Sequence, residues 1–240
     1  MRAEEILEEL EYDPTTHTED VLQSLDVAPD TYTKAQDRAA WVLNSGKLGA
    51  WLSNQQSEVM IVNSLEPTAQ RQSSVSLFSA MLVQAISSDD IGIVLYWSCG
   101  RHIHGSCEDI VKDMIGQLLQ KGAKGLPLTA LTSPHRKRLR SIDSLLKLAI
   151  CLLKEQLKQT SVFVVLDSIS FYEDRARLDL TRVLFEQFNA IAGGWKGANH
   201  LKVMATSPTR CGFLGSVMDA WKPSVLRYVL LTLALQGHVA

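Results

Sequence analysis

The stretch Ser161–Glu173, SVFVVLDSISFYE, constrains this chain more than any other. From Ser161 to Leu166 the residues, mostly β-branched or aromatic, follow one another without polar alternation, and the run ends in one carboxylate, Asp167. A strand with that pattern is covered on both faces, as in a parallel sheet flanked by helices. An acid at the carboxyl end of such a strand lies where open α/β sheets form their binding crevice.

The rest of the chain supplies matching pieces. Val59–Val62, Ile91–Trp97, Leu201–Ala205 and Val225–Leu233 are further strand candidates. Apolar residues at helical spacing mark helices over Ser73–Ile86, Cys107–Gln120, Arg136–Lys158 and Arg177–Ile191. Strands separated by helices of this length assemble most economically as right-handed β-α units. The expectation is a three-layer α/β sandwich with a mainly parallel five-stranded sheet over residues 53–240. Residues 1–52 read as an N-terminal helical arm, with Ile6, Leu7 and Leu10 on the apolar side of its first helix.

Composition narrows the class. Hydrophobic residues make up 46% and charged residues 21%, as in a folded globular protein. A formal net charge of -2 provides no global field to recruit nucleic acid or an anionic membrane. Met1–Tyr12 is acidic and lacks the apolar segment of a signal peptide, and the apolar run Val225–Leu235 is short of the roughly 20 residues a spanning helix needs. The localisation these features imply is cytoplasmic, with no membrane partner.

The order of segments resembles the P-loop NTPases, with VFVVLD at Val162–Asp167 as a Walker B-like strand. More narrowly it resembles a degenerate member of the STAND/NACHT-type modules of fungal NLR-like proteins. The segments that carry this are WLSNQQSEVMIVN (Trp51–Asn63), SLFSAML (Ser76–Leu82), IVLYWSCG (Ile93–Gly100), VFVVLDS (Val162–Ser168) and LKVMATSPTR (Leu201–Arg210). The resemblance implies that Asp167 holds Mg²⁺ through water and that Ser73 or Ser74 supplies the metal-binding hydroxyl. It also implies that Arg71 contacts an anion, and that Thr206 and Arg210 lie near a γ-phosphate.

Nucleotide chemistry further requires a glycine-rich loop after the first strand and a lysine that reaches the terminal phosphates. The corresponding loop, Asn63–Ser73, has neither glycine nor lysine. Pro67 removes one N–H donor and Glu66 adds negative charge beside a would-be polyphosphate. The residue after Asp167 is Ser168, and the next acids are Glu173 and Asp174. On these grounds the expectation is a non-catalytic pseudo-NTPase with no cofactor, not an enzyme, working as a protein-binding or assembly module. Its partner would be another protein or a second copy, and not nucleic acid. The alternative is a nucleotide-dependent STAND-like ATPase or switch with a divergent phosphate loop, using ATP or ADP with Mg²⁺. In the first reading Asp167 is a strand-end acid that accepts N–H bonds in the following turn.

Other constellations weigh less. Cys99, His102, His104 and Cys107 have the chemistry of a zinc site, but their spacing fits no common finger. Buried thiols beside exposed histidines are the plainer reading. Asn44–Gly49 contains a Gly-Lys pair with no strand before it, and reads as a helix break. The basic run His135–Arg140 reads as a solvated helix end.

Overall fold

The computed structural model describes residues 3–26, 29–64, 73–89, 91–122, 141–174, 176–209 and 227–232, with 29–34 and 227–232 described by backbone alone. Four helices come first: α1 (Ala3–Glu9), α2 (Thr16–Leu25), α3 (Pro29–Leu43) and α4 (Gly46–Ser53). Then follow β1 (Glu58–Asn63), α5 (Ser74–Ser88), β2 (Ile93–Ser98), α6 (Cys107–Gly122), α7 (Ile142–Leu157), β3 (Val162–Asp167), α8 (Leu178–Gly194), β4 (Leu201–Ser207) and β5 (Arg227–Thr232). The break between α3 and α4 falls at the Gly-Lys pair, where the Ser45 hydroxyl caps α4 by accepting from Lys47 N–H.

All strand pairings are parallel, in the order β2-β3-β4-β1-β5. Every residue of β1, β3 and β4 is buried, as the unbroken apolar run of β3 requires. Alternate residues feed two separate cores. Ile61, Leu95, Leu166 and Val203 point into one with α1, α6, α7 and α8. Met60, Tyr96, Phe163 and Met204 point into the other with α2 to α5. This is the three-layer sandwich that the sequence implies, and residues of the N-terminal helices, Ile6 and Val42 among them, are fully buried in it. Among the described residues no helix is long and apolar enough to cross a membrane.

The edge strand β2 is covered by its own crossover helix. The Gln117 side chain of α6 accepts from Tyr96 N–H at 3.1 Å and donates to Tyr96 C=O at 2.8 Å. Lys121, one turn further on, donates to Val94 C=O at 2.7 Å. Backbone groups that would otherwise invite another strand are thereby occupied. At the amino ends of β1 and β4 Lys202 and Glu58 form a buried ion pair at 3.5 Å, and Asn54 donates to the other Glu58 oxygen at 2.6 Å.

Candidate functional site

Asp167 is completely buried at the carboxyl end of β3. Such a carboxylate is costly unless donors surround it. Among the described residues the side-chain donors within reach are hydroxyls. Thr206 Oγ1, from the end of β4, donates to Asp167 Oδ1 at 2.7 Å. Ser98 Oγ, the residue paired with Asp167 in the β2–β3 register, donates to Oδ2 at 3.1 Å. Ser168 Oγ reaches Oδ1 at 3.2 Å and Ser79 Oγ at 3.5 Å. Burial pushes the Asp167 pKa above the usual carboxylate range, and the hydrogen bonds, Thr206 first, pull it back in part.

The backbone of Ser168 is left-handed, at φ 60° and ψ 41°, which is uncommon outside glycine. That turn brings Ser168 N–H to Thr206 Oγ1 at 3.0 Å and Ser168 Oγ to Ser76 Oγ at 3.1 Å. Ser76 in turn bonds to Ser73 Oγ at 3.0 Å, and Ser73 caps α5 by accepting from Ser76 N–H at 3.2 Å. A continuous line of buried hydroxyls therefore joins the amino end of α5 to Asp167. The helix end contributes positive dipole and N–H groups at the same place. Chemically the arrangement holds one carboxylate and several hydroxyl oxygens beside a helix amino terminus, a set of groups suited to a hard cation and the anion it accompanies.

The structure thus brings together Asp167, Thr206 and Ser73, with Ser74 buried beside them in the first turn of α5. Arg71 and Arg210 lie outside the described residues. Ser76, Ser79, Ser98 and Ser168 are additions that sequence reasoning did not single out. A signal existed for some of them: Ser73, Ser76 and Ser79 recur every third residue from the N-cap of a mostly apolar helix.

The zinc-like constellation does not converge. Cys107 Sγ lies 2.9 Å from Thr181 Oγ1, and burial pushes both the Cys99 and Cys107 thiols up. His102 turns instead to Asp20 at 2.8 Å and stacks on Trp97, while His104 is exposed. Among the described residues no group of three His, Cys, Asp or Glu is placed to hold a metal ion.

No protein-family model matches the sequence, and neither does any curated protein. Solved structures do align. The Drosophila ORC bound to AT-rich DNA and Cdc6 superposes with a TM-score of 0.52 at 13% identity, over 91% of this chain and 32% of that one. The chain has a P-loop NTPase-like fold. The Walker-type ATPase PABY2304 of Pyrococcus abyssi aligns at a TM-score of 0.46 and 16% identity, over 87% of this chain and 57% of its own. The Aeropyrum pernix ORC2 protein in its ADPNP-ADP complexes aligns at 0.41 and 16%, over 86% and 48%. This chain spans about half or less of the ORC chains it aligns with.

Three expectations from the sequence are corrected. A non-catalytic binding module was inferred from the missing glycine and lysine of the first loop. The P-loop NTPase-like structure has a buried acid at the end of β3 with a shell of hydroxyls from β2, β4 and α5, and a binding module has no need of that arrangement. That reading is withdrawn, and the nucleotide-dependent alternative is taken up below as a proposal. The expectation that the chain is not an enzyme is withdrawn with it. The exclusion of nucleic acid rested on net charge alone, which describes long-range attraction and not a local contact surface. The superposed Drosophila complex is bound to DNA, so that exclusion is withdrawn.

Proposed function

We propose that this chain is a nucleotide-dependent ATPase or switch of AAA+-like type, with a divergent phosphate loop. The observation that carries the reading is the fully buried Asp167 with donors from β2, β4 and α5 converging on it. Core packing alone does not call for a carboxylate there, and an apolar residue would avoid its desolvation. In this reading Asp167 and the hydroxyl of Ser73 or Ser74 would hold Mg²⁺, which would supply charge stabilisation to the phosphates. Thr206 orients Asp167 and would lie near a terminal phosphate, and the amino end of α5 would receive the polyphosphate in place of a glycine cradle. Arg71 and Arg210 are the proposed cationic contacts from the flanking loops. The finer placement among STAND/NACHT-type modules has only the residue order in its favour. The proposal therefore stays at the level of the AAA+-like fold.

Calorimetric titration of ATP and ADP with Mg²⁺, paired with a phosphate-release assay, tests this. Binding in the micromolar range, with Mg²⁺-dependent turnover lost in Asp167→Asn, is the expected result. Absence of any nucleotide binding by the folded chain sinks the reading. The DNA in the superposed Drosophila complex supports a second element, association with AT-rich duplex in the nucleotide-bound state. Fluorescence anisotropy of a labelled AT-rich duplex, with and without ATP, measures it. No change in anisotropy at either condition removes this element and leaves the first intact.

A further inference from the structure

A cavity of about 250 Å³, not lined by Asp167, lies between the α1–α2 connection, the end of β2 and the first turns of α6. Its walls are Leu10, Tyr12, Trp97 and His102, and its acids are Glu11, Asp13, Asp109 and Asp113. Asp113 is the unusual member. It is only 6% exposed, its hydrogen bond comes from the neutral amide of Gln117, and no cation among the described residues lies within ion-pair distance. Burial pushes its pKa up to about 7. The nearest cations among the described residues are bonded to other partners, although Lys121 and His102 still act on the Asp113 charge from a distance. Lys112, on the wall, pairs with Glu108 at 2.9 Å, His102 pairs with Asp20 at 2.8 Å, and Lys121 is held by Val94 C=O and Gln117.

We propose that this cavity binds a small organic cation, an ammonium or guanidinium group seated against Asp113 with its hydrocarbon body on Trp97 and Tyr12. The geometry supplies what such a group needs: a desolvated carboxylate, aromatic walls, and further acids at the rim. A buried carboxylate facing a cavity without a cation is destabilised, and a bound cation relieves that destabilisation. An anion would meet four carboxylates, and a neutral ligand would leave Asp113 as it is. The site is separate from the proposed nucleotide site, and its test does not depend on nucleotide binding.

The probe is agmatine, with a guanidinium and an ammonium on a short chain. Blocked arginine methylamide serves as the second arm and pentanol as the neutral control. Titration of the full chain near pH 8 should give agmatine a Kd on the order of 0.1–1 mM, weakened at least about tenfold in Asp113→Asn. Pentanol should not bind. Agmatine binding without arginine methylamide binding identifies a free amine. Binding of arginine methylamide as well identifies a side chain presented by a partner. Failure of both to bind overturns the proposal, as does equal binding to a folded Asp113→Asn protein.

If that variant does not fold, the pH profile of the unaltered chain decides. Agmatine stays cationic, so its affinity should rise as Asp113 ionises between about pH 6 and pH 8. The other groups facing Asp113 are His102 from the β2–α6 loop, Asp20 from α2 and Lys121 from α6 itself. Protonation of His102 at lower pH adds positive charge and acts in the same direction. An affinity that is flat over this range overturns the proposal.

Discussion

Asp167 is held by four hydroxyls and no cation among the described residues, so its charge is tolerated more than welcomed. Thr206 gives the shortest of these bonds. Thr206→Ala should cost about 1–2 kcal/mol of stability, read by denaturant unfolding, because a buried acceptor loses its best donor. The same change should raise the Asp167 pKa further and weaken any Mg²⁺-dependent turnover. Asp113 offers a pH prediction with a defined window. Its folded pKa, about 7, lies above the ordinary carboxylate value, so proton binding favours the folded state. That contribution is complete below about pH 4 and is lost as pH rises to about 7. Measured against Asp113→Asn, the unaltered chain should be nearly as stable at pH 4 and clearly less stable at pH 8. Equal differences at the two pH values would contradict the burial of an unpaired carboxyl.

At the scale of elements, the two ends of the sheet do different work. The carboxyl ends gather hydroxyls around an acid. The amino ends lock β1 to β4 through Glu58 and Lys202, with Lys202 also lying over the Trp51 ring at 5.7 Å. Glu58→Gln leaves a buried ammonium without its counter-charge and should cost about 3–5 kcal/mol. Replacing both partners by apolar residues of similar size should cost much less, and a double-mutant cycle by thermal unfolding separates the two outcomes. Helix α6 is tied to the N-terminal segment at Gly116, where a β-carbon would stand 2.1 Å from the Tyr12 ring. Gly116→Ala gains helix propensity of about 1 kcal/mol. It must also displace that ring, so a net loss of about 1–3 kcal/mol is expected. Fast hydrogen exchange in α1 would accompany it if the displaced ring carries the helix away.

For the whole molecule, a ligand that binds only the folded state reports itself as stability. Mg²⁺-ATP at a hundredfold excess over its Kd should stabilise the chain by about 2.7 kcal/mol, and Asp167→Asn should remove most of that shift. Stabilisation by ATP that is indifferent to Asp167 would place the nucleotide somewhere other than the mouth of β3 and α5.

Much of the architecture was written along the chain. The unbroken run Val162–Leu166 demanded a strand buried on both faces, and helical spacing between strands demanded parallel β-α units, because burying those faces leaves few other assemblies. Asp167 stood out for the same reason: one charge at the end of an apolar run. The hydroxyl shell did not stand out, since Ser76, Ser79, Ser98 and Ser168 come from α5, β2 and the β3 turn. Serine carries too weak a local preference to mark a site before the strands are placed side by side. The burial of Ile6 and Val42 was equally hidden, because short amphipathic helices look alike whether they float or dock. Local pattern fixes which residues must leave water. Which groups meet once they have left it is decided by strand order and register, and these exist only in three dimensions.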